Sequence, residues 1–152
     1  MNEGHKLLDH RIQKWIYKQG WTGLRDIQSK AIPSILARDR DVIISASTAS
    51  GKTEAFFLPA CTSISDIEGG FGILYISPLK ALINDQYRRL EGLCSCLEMD
   101  VTPWHGDVLQ SKKKSALQSS SGILLITPES LESLLINKAA WVKDAFKNLR
   151  YI

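Results

Sequence analysis

Asp41-Val42-Ile43-Ile44-Ser45-Ala46 runs without a break into Ser47-Thr48-Ala49-Ser50-Gly51-Lys52-Thr53. The first six residues are a short β-branched run with a polar start, which predicts a buried strand. Beyond the loop, Phe57, Ala60, Ile64 and Ile67 recur at the spacing of an amphipathic helix, and Gly69-Gly70 is a stop signal for it. The expected order is therefore strand, small-residue loop, helix.

Such a loop has a chemical use. Small side chains let backbone N–H groups turn inward as an anion nest, and the helix start adds its positive dipole end. Lys52 would bring a point charge to the β and γ phosphates of a nucleotide, and the Thr53 hydroxyl a ligand to Mg²⁺. The pattern G-x-x-x-x-G-K-[ST] is not fully met, because Ala46 stands at the first glycine position. The competing reading is an ordinary strand-to-helix turn with an exposed lysine.

Upstream, Leu8, Ile12, Trp15 and Ile16 form one apolar stripe, predicting a helix from Lys6 to Gln19 that ends before Gly20. Asp26 opens a second helix through Ile27, Ala31, Ile32, Ile35 and Leu36, with Pro33 expected to kink or restart it. Downstream, strands are predicted at Gly72–Ile76, Val101–Trp104 and Gly122–Ile126, with Tyr151-Ile152 at the start of another. Helices are expected through Leu79–Leu93, through Leu131–Leu135, and around Trp141, Val142 and Phe146, while Ser119-Ser120-Ser121 marks a loop. Alternation of this kind implies an α/β fold, a parallel sheet with helices on both faces.

Composition narrows the class. With 152 residues, 44% hydrophobic and 23% charged, the chain has the size and balance of one globular domain. No apolar run approaches the roughly 20 residues of a membrane span, and the N-terminus lacks a secretory pattern, so a cytoplasmic location is expected. Cys61, Cys94 and Cys96 are an odd count without a second Cys or His cluster to complete a metal site. A formal charge of +3 is too small to identify a polyanion partner, and Lys112-Lys113-Lys114 reads as a solvated helix face as readily as a polyanion attractor.

Two strands end alike, in Ile76-Ser77-Pro78-Leu79-Lys80 and Ile126-Thr127-Pro128-Glu129-Ser130. Ser77 and Thr127 are suited to N-capping and proline to the first helical position. In a parallel sheet these junctions share the carboxyl edge, where open α/β folds bind ligands. Plain capping explains each alone; together with Lys80 they suit successive phosphates of a nucleic-acid strand.

In these residues the chain resembles the first RecA-like domain of superfamily 2 DEAD/DEAH-box helicases, especially their Lhr-like branch, over nearly its whole length. The stretch Trp21-Thr22-Gly23-Leu24-Arg25-Asp26-Ile27-Gln28, with Ala31-Ile32-Pro33, is similar to the Q motif, in which Gln28 would read the adenine edge. Ala46, Ser47, Thr48, Ala49, Ser50, Gly51, Lys52 and Thr53, with Glu54 after them, resemble motif I in the form that lacks the first glycine. Ser77-Pro78-Leu79-Lys80 is similar to motif Ia and Thr127-Pro128-Glu129-Ser130 to motif Ib, and His105-Gly106-Asp107 falls where the family places a glycine-containing loop near the strand. Trp21 would lie near the adenine or anchor the core, and His105 is not assigned a catalytic role.

The resemblance implies a three-layer RecA-like P-loop NTPase domain over residues 1–152, incomplete at the C-terminus, with residues 1–40 supplying the helices of the Q motif. It implies ATP and Mg²⁺ as cofactors, Lys52 and Thr53 as the catalytic pair of this segment, and Thr53 as the Mg²⁺ ligand. DNA or RNA backbone would be held by Ser77, Pro78, Lys80, Gly106, Thr127, Pro128 and Glu129. The Asp-Glu box would follow Tyr151-Ile152, so little ATP turnover is expected without a C-terminal helicase half as partner.

Overall fold

A computed structural model describes residues 3–152; Met1 and Asn2 lie outside the described residues. The chain divides into two compact units, one up to Ser65 and the other Asp66–Ile152. No helix among the described residues is long and apolar enough to cross a membrane.

The first unit holds helices α1 (Glu3–Lys6), α2 (His10–Lys18), α3 (Asp26–Ala37) and α4 (Lys52–Ile64). The single helix expected from Lys6 is interrupted at Asp9, whose carboxylate accepts the Arg11 N–H at 2.8 Å and caps α2. The Arg11 guanidinium holds the Asp9 carboxyl down at about 2. Pro33 does not restart α3, which runs through it from Asp26 to Ala37. Proline withholds an N–H from the Ser29 carbonyl one turn back, and α1 closes on that carbonyl: a Cβ on Gly4 would come within 3.2 Å of it. Ile12, Ile32, Phe57 and Leu58 are fully buried in this unit.

The strand expected at residues 41–46 is absent: the segment has no regular structure, and Ile43 is 94% exposed. A β-branched run supplies propensity, but a strand also needs a neighbour to accept its backbone hydrogen bonds, and none of the described strands pairs with this one. The helix after the loop ends at Ile64, short of Gly69-Gly70, because Gly70 already opens the next strand.

The second unit is a parallel sheet, β1 (Gly70–Ile76), β2 (Val101–Trp104) and β3 (Ser121–Ile126), in spatial order β1-β3-β2. Tyr151 adds a parallel bridge to Ile73 on the open side of β1. Between the strands run α5 (Lys80–Cys96) and α6 (Gln110–Gln118), and α7 (Pro128–Asn137) and α8 (Ala139–Ala145) follow β3. Leu124 and Ile126, two apart on β3, share one core with Ala116, Leu134 and Ala145 from α6, α7 and α8, and the register irregularity between Phe71 and Ile73 lets Phe71 and Leu74, three apart on β1, join it. Trp141 and Phe146 pack on that core, with ring centroids 5.5 to 6.4 Å apart, and the Trp141 indole donates to the Leu117 carbonyl at 3.0 Å. Helix α5 buries Ile83, Leu90 and Leu93 and contacts β2 and β3.

Strand β2 is an edge of the sheet and contains Pro103. The Asp100 and Trp104 carbonyls accept from Ile123 and Thr127 of the β3 chain. Even-numbered positions therefore face the ladder and Pro103 faces outward, where its missing N–H costs no bond.

Candidate functional site

In the first unit the loop closes on Gly51, the N-cap of α4, which lies in the left-handed region at φ 92°. Ala49 is also left-handed at φ 61°, unusual without glycine. Alternating hands turn successive N–H groups to one side, the geometry of an anion nest. A Cβ on Gly51 would displace the Gln28 Nε2, 2.6 Å away, and the positive φ disfavours any L side chain there. No side chain caps this helix end, and the Ser50 hydroxyl is buried without a partner.

Lys52 folds back over the loop. Its Nζ donates to the Ala46 carbonyl at 2.6 Å and the Ser47 carbonyl at 2.8 Å. Gln28, expected only to read adenine, also braces this loop from beneath at 2% exposure. Its Oε1 accepts the Arg25 N–H at 2.9 Å while Nε2 donates to the Gly51 carbonyl at 3.4 Å. The Arg25 guanidinium donates to the Ala49 carbonyl, a contact that sequence reasoning missed although Arg25 lies three residues before Gln28. The residues fit a polyphosphate: a left-handed glycine turn at a helix start, an unpartnered hydroxyl and a lysine held on carbonyls alone.

In the second unit, the carboxyl ends of β1, β3 and β2 bring the other expected residues together. Ser77 and Thr127 are buried, and their N–H groups bond to the Ile126 and Trp104 carbonyls at 3.0 and 3.3 Å. Thr127 is the N-cap of α7 with Pro128 in its first turn, as expected, although its hydroxyl donates to Ser130 rather than to the helix end. Ser77 is not a cap: α5 starts later, with Leu79 in that position, because Ser77 still belongs to the ladder hydrogen bonding. Pro78, Pro128 and Glu129 are exposed.

Lys80 and the His105–Asp107 loop meet here. Lys80 Nζ lies 3.2 and 3.1 Å from the two Asp107 oxygens, and a Cβ on Gly106 would sit 3.5 Å from Nζ. His105 is 3% exposed, with Nε2 2.9 Å from the Asn84 Oδ1 and Nδ1 accepting the Asp107 N–H at 3.3 Å. That pattern fixes the neutral tautomer with the proton on Nε2. No partner for His105 is evident from sequence; Asn84, four residues after Lys80 on α5, is the signal that points to one.

Burial pushes the His105 imidazole below its ordinary value of 6.5; the Asp107 charge opposes this and those of Lys80 and Lys113 reinforce it. The folded chain thus holds a neutral ring that the unfolded chain protonates more readily. Its stabilisation is complete above the unfolded value and is lost as pH falls below it through the folded value. Thermal melts between about pH 7.5 and about pH 5 should show Tm of the native protein falling more steeply than that of His105→Gln.

Residues 25–152 match the DEAD/DEAH box helicase family. The ATP-dependent helicase Lhr-Core of Methanothermobacter thermautotrophicus is 30% identical across 99% of this chain, which covers 19% of that relative. The ATP-dependent RNA helicase has1 of Aspergillus clavatus is 30% identical across 94% of the chain, which covers 23% of it. The chain thus spans about a fifth of the length of these curated relatives. The solved DUF1998 helicase MrfA superposes with a TM-score of 0.82 at 27% identity, over 100% of this chain and 23% of its own. The helicase Lhr of Mycobacterium smegmatis, at 24% identity and TM-score 0.79 over 96% of this chain and 20% of its own, shares the fold. With the match running through most of its length, the chain belongs to the DEAD/DEAH box helicase family.

Proposed function

We propose that residues 1–152 are the ATP-binding part of an ATP-dependent DNA or RNA helicase: its first RecA-like domain, with residues 1–40 carrying the helices of the adenine side. The observation that carries this reading is Lys52, whose ammonium rests on the Ala46 and Ser47 carbonyls above a loop that turns through the left-handed Gly51 at the start of α4. Phosphate oxygens accept from an ammonium more strongly than neutral carbonyls do. Lys52 then supplies charge to the β and γ phosphates, the first turn of α4 supplies N–H donors, and the Thr53 hydroxyl is a ligand for Mg²⁺. Bound Mg²⁺ contributes neutralisation of the phosphate charge. Ser47, Thr48, Ala49 and Ser50 shape the nest, and Glu54 closes the first turn of the helix.

Gln28 keeps one amide hydrogen and one carbonyl lone pair beyond its two bonds. Those complement the N7 and N6 edge of adenine. At the strand ends of the second unit, Ser77, Pro78, Lys80, Gly106, Thr127, Pro128 and Glu129 grip a nucleic-acid backbone without reading bases. The solved MrfA bound to DNA and AMPPNP, at 25% identity and TM-score 0.80 over 98% of this chain, supports both halves of the reading. Hydrolysis needs groups from a downstream helicase half that orient water and complete the metal site.

Calorimetric titration of the chain with ATP and MgCl₂ tests this. Saturable binding to a single site, weaker without Mg²⁺, is expected, and turnover should rise above background only when the downstream half is added. A folded sample that takes up no ATP refutes the assignment.

A further inference from the structure

The Lys80–Asp107 pair has a consequence for how a strand is admitted. Both Asp107 oxygens lie on the Lys80 ammonium, at 3.2 and 3.1 Å. Carboxylate and phosphate oxygens offer an ammonium the same charge-assisted acceptors. Asp107 thus occupies the contact that a strand phosphate needs.

Its position is built from within the fold. The buried His105 ring ties the Asp107 N–H on one side to the Asn84 carboxamide on the other. Asn84 lies one turn after Lys80 on α5, so one helix face carries both the lysine and the anchor of the loop that covers it. The ion pair itself is open to water, with side chains 52% and 73% exposed. A pair so exposed is held weakly enough for another anion to displace it.

We propose that Asp107 is an internal competitor for the strand phosphate at Lys80, so that nucleic acid binds by exchanging a carboxylate for a phosphate rather than by filling an idle cation. The proposal rests on the reading of this edge as a nucleic-acid interface. Exchange lowers the gain from any single phosphate, so it favours ligands that also engage the Gly106 loop and the start of α7. A single-stranded chain can do that; an isolated phosphate cannot.

The test is fluorescence anisotropy of fluorescein-labelled single-stranded oligo-dT and oligo-U at low salt, with the native chain, Asp107→Asn, Lys80→Ala and the double variant. Asp144→Asn is the charge control, since Asp144 pairs with Lys147 and lies by Gly70 at the opposite end of β1. Asp107→Asn should bind roughly two- to fivefold tighter, the range that an exposed ion pair represents. Asp144→Asn should gain less, and the gain from Asp107→Asn should vanish on a Lys80→Ala background. If the native chain binds, Lys80→Ala weakens it and Asp107→Asn leaves it unchanged or weaker, the competitor role is wrong while the interface stands. A gain that persists without Lys80 also overturns it. If neither the native chain nor Asp107→Asn binds, the interface reading falls and the proposal with it.

Discussion

Gly122→Ala is expected to unfold the second unit, or at the least to lower its Tm by about 15 °C or more. Two independent costs act at this position. Gly122 lies at φ +69°, where a side chain costs roughly 1–2 kcal/mol of strain. A Cβ there would also stand 2.1 Å from the Asp100 carbonyl oxygen and 2.9 Å from Met99 Cγ. Backbone cannot yield as a flexible side chain does, so β3 must separate from the chain entering β2. That breaks the bond from the Ile123 N–H to the Asp100 carbonyl, and with it the start of the β2–β3 register. Together these exceed about 4 kcal/mol, a large share of the 5–15 kcal/mol that holds a domain folded. Gly69→Ala is the control: φ is +72° but no atom lies within 4 Å, so it pays the strain alone. Thermal melts followed by tryptophan fluorescence, with Trp104 and Trp141 packed against each other, would compare the two. Equal shifts for both would show that the Asp100 contact carries no weight.

Lys52→Ala should weaken ATP binding by about two orders of magnitude, since a charged hydrogen bond contributes roughly 1.5–3 kcal/mol and this lysine would make more than one. It should leave folding almost untouched. The Lys52 contacts are exposed and local to the loop, whereas the loop's shape comes from Gln28, Arg25 and Gly51 beneath it. Calorimetry gives the affinity and a thermal melt in the absence of nucleotide gives the stability. Unchanged affinity in a folded variant would reduce the loop to a turn. A large fall in Tm would mean instead that the lysine is a structural clasp.

The second unit was legible because its signals are local. Gly72–Ile76, Val101–Trp104 and Gly122–Ile126 are short apolar runs between helical patterns, and each is a strand to within two residues. Residues 41–46 carry the same signal and fail, because pairing depends on which partner lies alongside, and composition does not say. Helix α6 was signalled only by the solvated-face reading of Lys112-Lys113-Lys114, since its apolar content is little more than Ala116 and Leu117 among lysines and serines. In the candidate site, Gly51 and Lys52 were visible by spacing and Gln28 only through the resemblance to the Q motif. The Asn84–His105 and Lys80–Asp107 contacts were not, because they join positions 21 and 27 residues apart through the packing of α5 on β2.

The proline in β2 also makes the sheet asymmetric in what it accepts. On that flank the outward-facing backbone lacks a donor at Pro103, so an incoming foreign segment would find its hydrogen-bonding template broken. The opposite flank is receptive: the Leu74 N–H reaches the Tyr151 carbonyl at 2.9 Å, and the Gly72 carbonyl takes the Arg150 and Tyr151 N–H groups. Growth of this sheet is thereby directed one way, outward from β1, and unwanted self-association is discouraged at the other border.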